Sequence, residues 1–431
     1  MPAADPAPTE TGWPVAAEGP RRTRLIERPP RPFAGGRQLV SDFGATSLTN
    51  GFIAIIFSVT GPVAVILAVG TEGGLGDAEL NSWVFGVFVL NGLLTILACW
   101  LYRLPMAFYW TIPGTVLVGP ALSHLSWPEI VGAFMATGVF MFVLGLTGWV
   151  GRLMSAIPLS IVMGMVAGVF LRFGTGLVTS VQADVWIAAP MIVTWMLLSA
   201  LRGLGRYLPP IIGALLVGVV MVVVLGRFDP APGEGTLLAQ PVVVVPQWSI
   251  QAMVELVIPL AITVLVVQNG QGLAVLRTAG HTVPVNVVTL ACGAWSVLVA
   301  AVGGVCTCLT GPTNALLAAS GERTRQYTAG IVNGLLAIGF GLFAPLFTRA
   351  MLGMPTAFVG VLAGLAMLRV LQVAFVTAFG GRCSLGALVT FIVTVSDITI
   401  LNIGAAFWGL VAGMATSLIL ERQDFRYHRE Q

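Results

Sequence analysis

The sequence predicts an all-α polytopic membrane protein of about fourteen transmembrane segments, folded as two inverted repeats of seven. Three observations predict it. The 431 residues are 57% hydrophobic and only 9% charged, with mean hydropathy +0.93, whereas a soluble domain carries roughly 25% charged residues. The apolar residues fall into successive stretches of the length a bilayer crossing needs. Two of those stretches are broken at matching places, at Pro113-Gly114 and at Gly311-Pro312.

In chain order, residues 1–40 are rich in Pro, Arg, Ala and Glu. They hold no apolar run of signal-peptide length, so a disordered cytoplasmic tail is expected rather than a cleaved leader. Spans 1 to 4 are expected at 49–69, 80–101, 106–123 and 129–150. Spans 5 to 7 follow at 155–178, 184–201 and 209–226. A polar stretch, Arg227 to Trp248, separates the halves. Spans 8 to 11 are expected at 251–273, 283–302, 304–320 and 327–347, and spans 12 to 14 at 355–379, 384–397 and 399–420. A single re-entrant hairpin is the alternative for the last two.

All 21 basic residues are arginine, and their placement orients the chain. With the N-terminus inside, the inner loops hold Arg103, Arg152, Arg202, Arg206, Arg277, Arg323, Arg325 and Arg382, and the outer loops only Arg227 and Arg349. That asymmetry follows the positive-inside rule and puts both termini in the cytoplasm. A shift of 197 residues brings Gly114 onto Gly311, Ser123 onto Ser320, Pro158 onto Pro355 and Arg172 onto Arg369. Because seven is odd, the second copy lies inverted in the membrane. Inverted repeats with matching broken helices are a mark of secondary transporters.

The five cysteines, Cys99, Cys292, Cys306, Cys308 and Cys383, are expected as free thiols. Cys306 and Cys308 stand closer than zinc ligands do, and His124, His281 and His428 are scattered. No metal, cofactor or catalytic cluster is expected, and a net charge of +3 does not call for nucleic acid.

The breaks carry the candidate site. Val305 to Thr310 alternates β-branched and small residues, which suits an extended piece. Gly311-Pro312 can then start a helix, since proline is favoured in the first turn. Unwound backbone in hydrocarbon is tolerated only where it is buried in protein or lines a cavity. A half-helix starting there aims free N–H groups and partial positive charge into that cavity. Thr310, Gly311, Pro312, Thr313 and Asn314 are the candidate anion contacts, and Pro113, Gly114 and Thr115 their counterparts in span 3. A simple kink is the alternative for each break alone. Gln268, Asn269 and Gln271, beside Gly270, are amides that need partners: one another, the backbones of spans 3 and 10, or substrate oxygens. Phe57, Ser58 and Thr60 precede a further Gly-Pro step, though Ser and Thr often bond their own helix. Charges inside spans are Glu255, Asp397, Arg172 and Arg369, functional by default. Snorkelling is the alternative for Glu255 and Arg172; Arg369 and Asp397 are candidates to pair.

The segments YWTIPGT, IPLSIVMGMVAGVFLRFG, QNGQGLAVLR, TGPTNALLAASGE and IGAAFWGLVAG give the chain, over residues 40–420, a resemblance to the benzoate transporter family. These are bacterial inner-membrane proteins described as benzoate:proton symporters. The broken spans also resemble those of nucleobase–ascorbate transporters and sulfate-type anion exchangers. The resemblance implies a core domain at 41–152 and 251–348, a gate domain at 153–227 and 349–420, a periplasmic loop at 228–250 and a cytoplasmic tail at 421–431. It implies short antiparallel strands at 106–112 and 304–310, elevator-like motion, and a homodimer through the gate domain. It implies a small aromatic carboxylate and protons as what is carried. The carboxylate would lie against Gly311 to Asn314 and Pro113 to Thr115, with the ring on Tyr109 and Phe57. One departure stands out. Proton-coupled nucleobase members carry glutamates on spans 8 and 10; here Gln268 stands in span 8 and span 10 has no acid. That fits an anionic substrate and leaves Glu255, Asp397 and the substrate itself as proton carriers. A nucleobase or an inorganic anion is the alternative cargo.

Overall fold

A computed structural model describes residues 26–150, 157–201, 209–229, 236–398, 400 and 403–424. Six helices are long and apolar enough to cross a membrane unaided: α2 (Ala45–Glu72), α3 (Asp77–Tyr102), α5 (Trp127–Thr147), α6 (Leu159–Ala183), α9 (Ile250–Thr278) and α14 (Thr356–Phe379). The pair α12 (Tyr327–Leu342) and α13 (Ala344–Leu352) makes a seventh if it is one span; it is bent by 63° where span 11 is expected to be continuous. Six shorter apolar helices accompany them: α4 (Ile112–Ala121), α7 (Val185–Ala200), α8 (Pro210–Val224), α10 (Val285–Ala300), α15 (Ser384–Val395) and α16 (Ala405–Leu420). Among the described residues, the remaining helices are α1 (Gly36–Asp42) and α11 (Gly311–Ala318).

Both expected breaks are present. β1 (Phe108–Trp110) pairs antiparallel with β2 (Thr307–Leu309), with Phe108 opposite Leu309, Tyr109 opposite Cys308 and Trp110 opposite Thr307. Thr111 N–H to Cys306 O (3.0 Å) and Thr310 N–H to Ala107 O (3.2 Å) extend the pairing by one bond at each end. The strands are shorter than 106–112 and 304–310 because Thr111 and Thr310 already serve as helix N-caps. The offset also differs here. Phe108 and Thr307 begin the strands, and Ile112 and Gly311 the helices, so the break repeats at 199 residues and matches Pro113 with Pro312. The 197-residue offset holds for Pro158 and Pro355, the N-caps of α6 and α14.

The helices form two groups. In one, α5 packs along α10 and α12 along α3 and α2, enclosing the strands. Gly138 and Gly293 let α5 and α10 approach so closely that a Cβ at 138 would lie 2.9 Å from the Gly293 carbonyl. Phe88 stacks its edge at 5.8 Å from Tyr109 and 5.1 Å from Trp110, which fixes β1 in the core. In the other group α6 packs along α14 and α15, and α7 along α8. The groups meet where α14 lies on α2 and α6 on α4.

The N-terminal expectation is corrected in part. Residues 1–25 lie outside the described residues, but residues 26–42 are folded onto the first group. The Glu27 carboxylate caps α10 by accepting from the N–H groups of Asn286 (3.1 Å) and Val287 (3.0 Å). Trp100 donates to Ala34 O (3.0 Å), and buried Asp42 accepts from Arg103 (3.0 Å) and Tyr327 (2.8 Å). A Pro- and Arg-rich stretch thus becomes ordered because each of its polar anchors finds a partner.

Candidate functional site

Where the two groups meet lies a cavity of about 1070 Å³. Among the expected site residues, Phe57, Ser58, Thr60, Tyr109, Pro113, Gln268, Gln271, Thr310, Pro312 and Thr313 line it. Facing them are Met163, Val166 and Phe170 of α6, Trp195 of α7, and Leu365 to Val373 of α14. The wall is therefore mostly apolar, with polar groups from α2 (Ser58, Thr60), α9 (Gln268, Gln271) and the start of α11 (Thr310, Thr313) on one side and Ser199, Arg369 and Gln372 on the other.

The two helix starts differ. At α4, the Thr111 hydroxyl accepts the Gly114 N–H (3.1 Å) and donates to Thr263 Oγ1 (3.1 Å). At α11, Thr310 gives no side-chain cap. Its hydroxyl turns instead toward Thr313 Oγ1, 3.4 Å away. Among the described residues, the N–H groups of Gly311 and Thr313 take no protein acceptor. Thr310, Pro312 and Thr313 border the cavity around that end. A helix N-terminus with unsatisfied N–H groups favours an anion.

Six expected contacts do not line the cavity: Gly114, Thr115, Asn269, Gly270, Gly311 and Asn314. Most have structural work instead. Asn269 Oδ1 accepts the Leu309 N–H (2.7 Å) and holds β2 in place. Asn314 Oδ1 accepts the Ala107 N–H (2.6 Å) and ties α11 to the start of β1. Thr115 donates to Thr111 O (3.1 Å), and Gly311 packs against Gln271. Thr60 bonds Ile56 O (3.0 Å) within its own helix. Ser58 donates to Ala54 O (3.0 Å) and stands 3.4 Å from Thr313 Oγ1, so α2 touches the bare helix end. The Tyr109 hydroxyl donates to Asn333 Oδ1 (2.9 Å), which fixes its ring at the cavity wall. Gln268 lies beside the Cys308 thiol.

Arg369 also lines this cavity, donating to Gln372 Oε1 at 2.9 Å. The expected pairing of Arg369 with Asp397 is not formed: they border different cavities. A second cavity, about 300 Å³, holds Glu255, Arg172, Asp397, Thr175 and Gly404. Glu255 is 5% exposed and does not snorkel. Its Oε2 lies 2.9 Å from His124 Nε2. Asp397 is exposed, in a left-handed turn with φ 53°.

The sequence signals an intramembrane arginine at 369 but not which cavity it enters. The apolar liners of α6, α7 and α14 carry no signal, since lipid-facing and cavity-facing positions share one composition. His124 lies 131 residues from Glu255, and nothing local joins them.

Two broken half-helices joined through antiparallel strands, with a cavity against a second helix group, define the class of fold found in membrane anion transporters. The transmembrane domain of the cyanobacterium bicarbonate transporter BicA superposes with TM-score 0.61 at 16% identity, covering 88% of this chain and 98% of that one. The murine Solute Carrier 26 family member A9 anion transporter in the inward-facing state gives TM-score 0.61 at 14% identity, covering 89% and 69%. The sequence is more specific: residues 41–419 match the family model described as Benzoate membrane transport protein, and the chain belongs to that family of membrane transporters. It is 28% identical over 385 residues to Inner membrane protein YdcO of Escherichia coli (strain K12), covering 87% of this chain and 95% of that one. It is 28% identical over 391 residues to Benzoate membrane transport protein of Acinetobacter baylyi, covering 89% and 97%.

Proposed function

We propose that this chain carries a small aromatic carboxylate, benzoate or a close analogue, across the bacterial cytoplasmic membrane in symport with protons. The observation that carries the reading is the uncapped start of α11, with an unpaired N–H at cavity-lining Thr313 and another at neighbouring Gly311, beside a mostly apolar cavity. The carboxylate is held there, and Gln268, Gln271 and Ser58 orient it. Phe57 and Tyr109 cover the ring. Apolar walls with a few convergent polar groups suit such a ligand.

The mechanism proposed is elevator-like. The first helix group, with the strands, is the moving core; the second, at 153–227 and 349–420, is the gate. Fourteen segments as seven plus seven inverted ones account for the paired breaks, with the bent pair taken as one crossing and seven shorter helices, α11 among them, counted as crossings. The cavity reaches Ser199, Pro209 and Phe375, next to the arginine-bearing loops, so this arrangement is read as inward-facing with both termini in the cytoplasm. A cavity of about 1070 Å³ is larger than a single-ring acid fills, so closure of the gate around the ligand is part of the cycle.

Glu255 is the proposed proton carrier, because it is buried, bonded to His124 and set in the second cavity. Asp397, being exposed, is not buried in this way. Glu255→Gln is expected to abolish proton-driven accumulation while benzoate exchange at equal pH continues. Proton-driven accumulation that persists in this variant would remove Glu255 from the proton route. The alternative cargo is an inorganic anion or a nucleobase, which the bare N–H groups alone would also accept or orient. Uptake of radiolabelled benzoate into proteoliposomes, with and without an inward proton gradient, tests the reading. Competition by unlabelled benzoate but not by uracil or sulfate is expected; no benzoate uptake under either condition contradicts it.

A further inference from the structure

Arg172 and Arg369 are the fourteenth residues of α6 (Leu159–Ala183) and α14 (Thr356–Phe379), about 20 Å along each helix. The two helices run antiparallel, since Gly360 abuts Ser180 and Gly364 abuts Phe173 and Leu177. Those contacts put both arginines near the crossing point, at about the same depth. They face opposite cavities, Arg172 the small one and Arg369 the large one.

Their partners differ. Arg172 reaches across to the first helix group and donates to Val116 O of α4 at 3.2 Å. It lies so close over Gly119 that a Cβ there would collide with the guanidinium. Arg369 is exposed to the large cavity and, among the described residues, bonds Gln372, one turn along its own helix. The offset of 199 between the half-helices carries Val116 to Ala315 and Gly119 to Ala318. Both are small, and neither is buried.

We infer that the two arginines are exchanging clasps. In this arrangement Arg172 fastens α4 and closes the small cavity, while Arg369 is released and offers its guanidinium to the substrate carboxylate in the large one. When the transporter opens the other way, Arg369 donates to Ala315 O over Ala318, and Arg172 is released to meet the anion. The carboxylate role and the exchange rest on the transport reading above; the Arg172 clasp on α4 rests on geometry.

Full-length protein carrying Arg172→Cys with Gly119→Cys, or Arg369→Cys with Ala318→Cys, is reconstituted and treated with a short bismaleimide. The five native thiols are buried. Both pairs are expected to cross-link, each link stopping uptake. Formation of the first link without the second overturns the exchange, and gel-filtration elution at the wild-type position shows that the variant is folded. The links are read by mass, so they report on the clasp even if benzoate is not the cargo. The anion role is read separately. Arg369→Gln is expected to raise KM from the cytoplasmic face about tenfold with kcat nearly unchanged, and Arg369→Lys to recover most of it. An equal rise on both faces overturns the sidedness.

Discussion

The helices α4 and α11 start alike and end differently. Each follows a three-residue strand, each has a threonine N-cap and each has proline in its first turn. At α4 the Thr111 hydroxyl returns to the Gly114 N–H, so the helix satisfies itself. At α11 the Thr310 hydroxyl faces Thr313 Oγ1, and the equivalent N–H is left bare. One side-chain rotation separates the capped helix start from the bare one. On the proposed reading the anion is held on one half only.

The largest effect should come from making α11 resemble α4. Thr310→Asp places a carboxylate at the N-cap, occupies the bare N–H groups and repels an anion. Benzoate affinity, by calorimetry, is expected to fall at least about tenfold, because hydrogen bonds to a charged group contribute roughly 1.5–3 kcal/mol. Thermal stability should not fall. Unchanged affinity would mean that the ligand does not use this helix end.

Next are the amides. Asn269→Ala leaves the buried Leu309 N–H unpaired and is expected to cost about 1–3 kcal/mol, lowering the melting temperature. Gln268→Ala at the cavity wall should raise KM and leave the melting temperature unchanged. If the two variants reversed these effects, the division between scaffold and site would be wrong.

Making α4 resemble α11 should do less. Thr111→Ala removes a cap worth about 1 kcal/mol. The melting temperature should drop while KM changes little. A large rise in KM would show that α4 shares the anion.

The smallest effect lies at the far end of α11. The buried His281 ring, outside the membrane-spanning segments, bonds Gln326 Oε1 (2.7 Å), and Gln326 donates to Ala318 O (2.5 Å). Burial holds the His281 pKa below its ordinary 6.5. The unfolded chain then binds the proton more readily, so this contribution is complete above pH 6.5 and is lost as the pH falls through the folded value. His281→Gln should flatten the acid limb of a melting-temperature profile; an unaltered limb would remove His281 from it.

Much of this fold was legible in the sequence. A Pro-Gly step at 113–114 and a Gly-Pro step at 311–312 locate both breaks, because a missing backbone donor leaves a signature in residue type. The 199-residue offset at the strands was not legible, since Gly114 and Gly311 align by identity while Pro113 and Pro312 align by geometry. Nor was the split among the amides. Gln268 and Asn269 are neighbours of similar chemistry, but side chains at consecutive helical positions point roughly 100° apart, so one meets the cavity and the other meets β2. The capped and bare threonines have the same residue type at equivalent positions, so only side-chain direction tells them apart.

The most direct measurement is a cryo-EM structure of the full-length protein in lipid with benzoate bound. The expected result is a carboxylate oxygen within hydrogen-bonding distance of the Thr313 or Gly311 N–H, with the ring between Phe57 and Tyr109. Benzoate seated away from α11, or held at the start of α4, would contradict it.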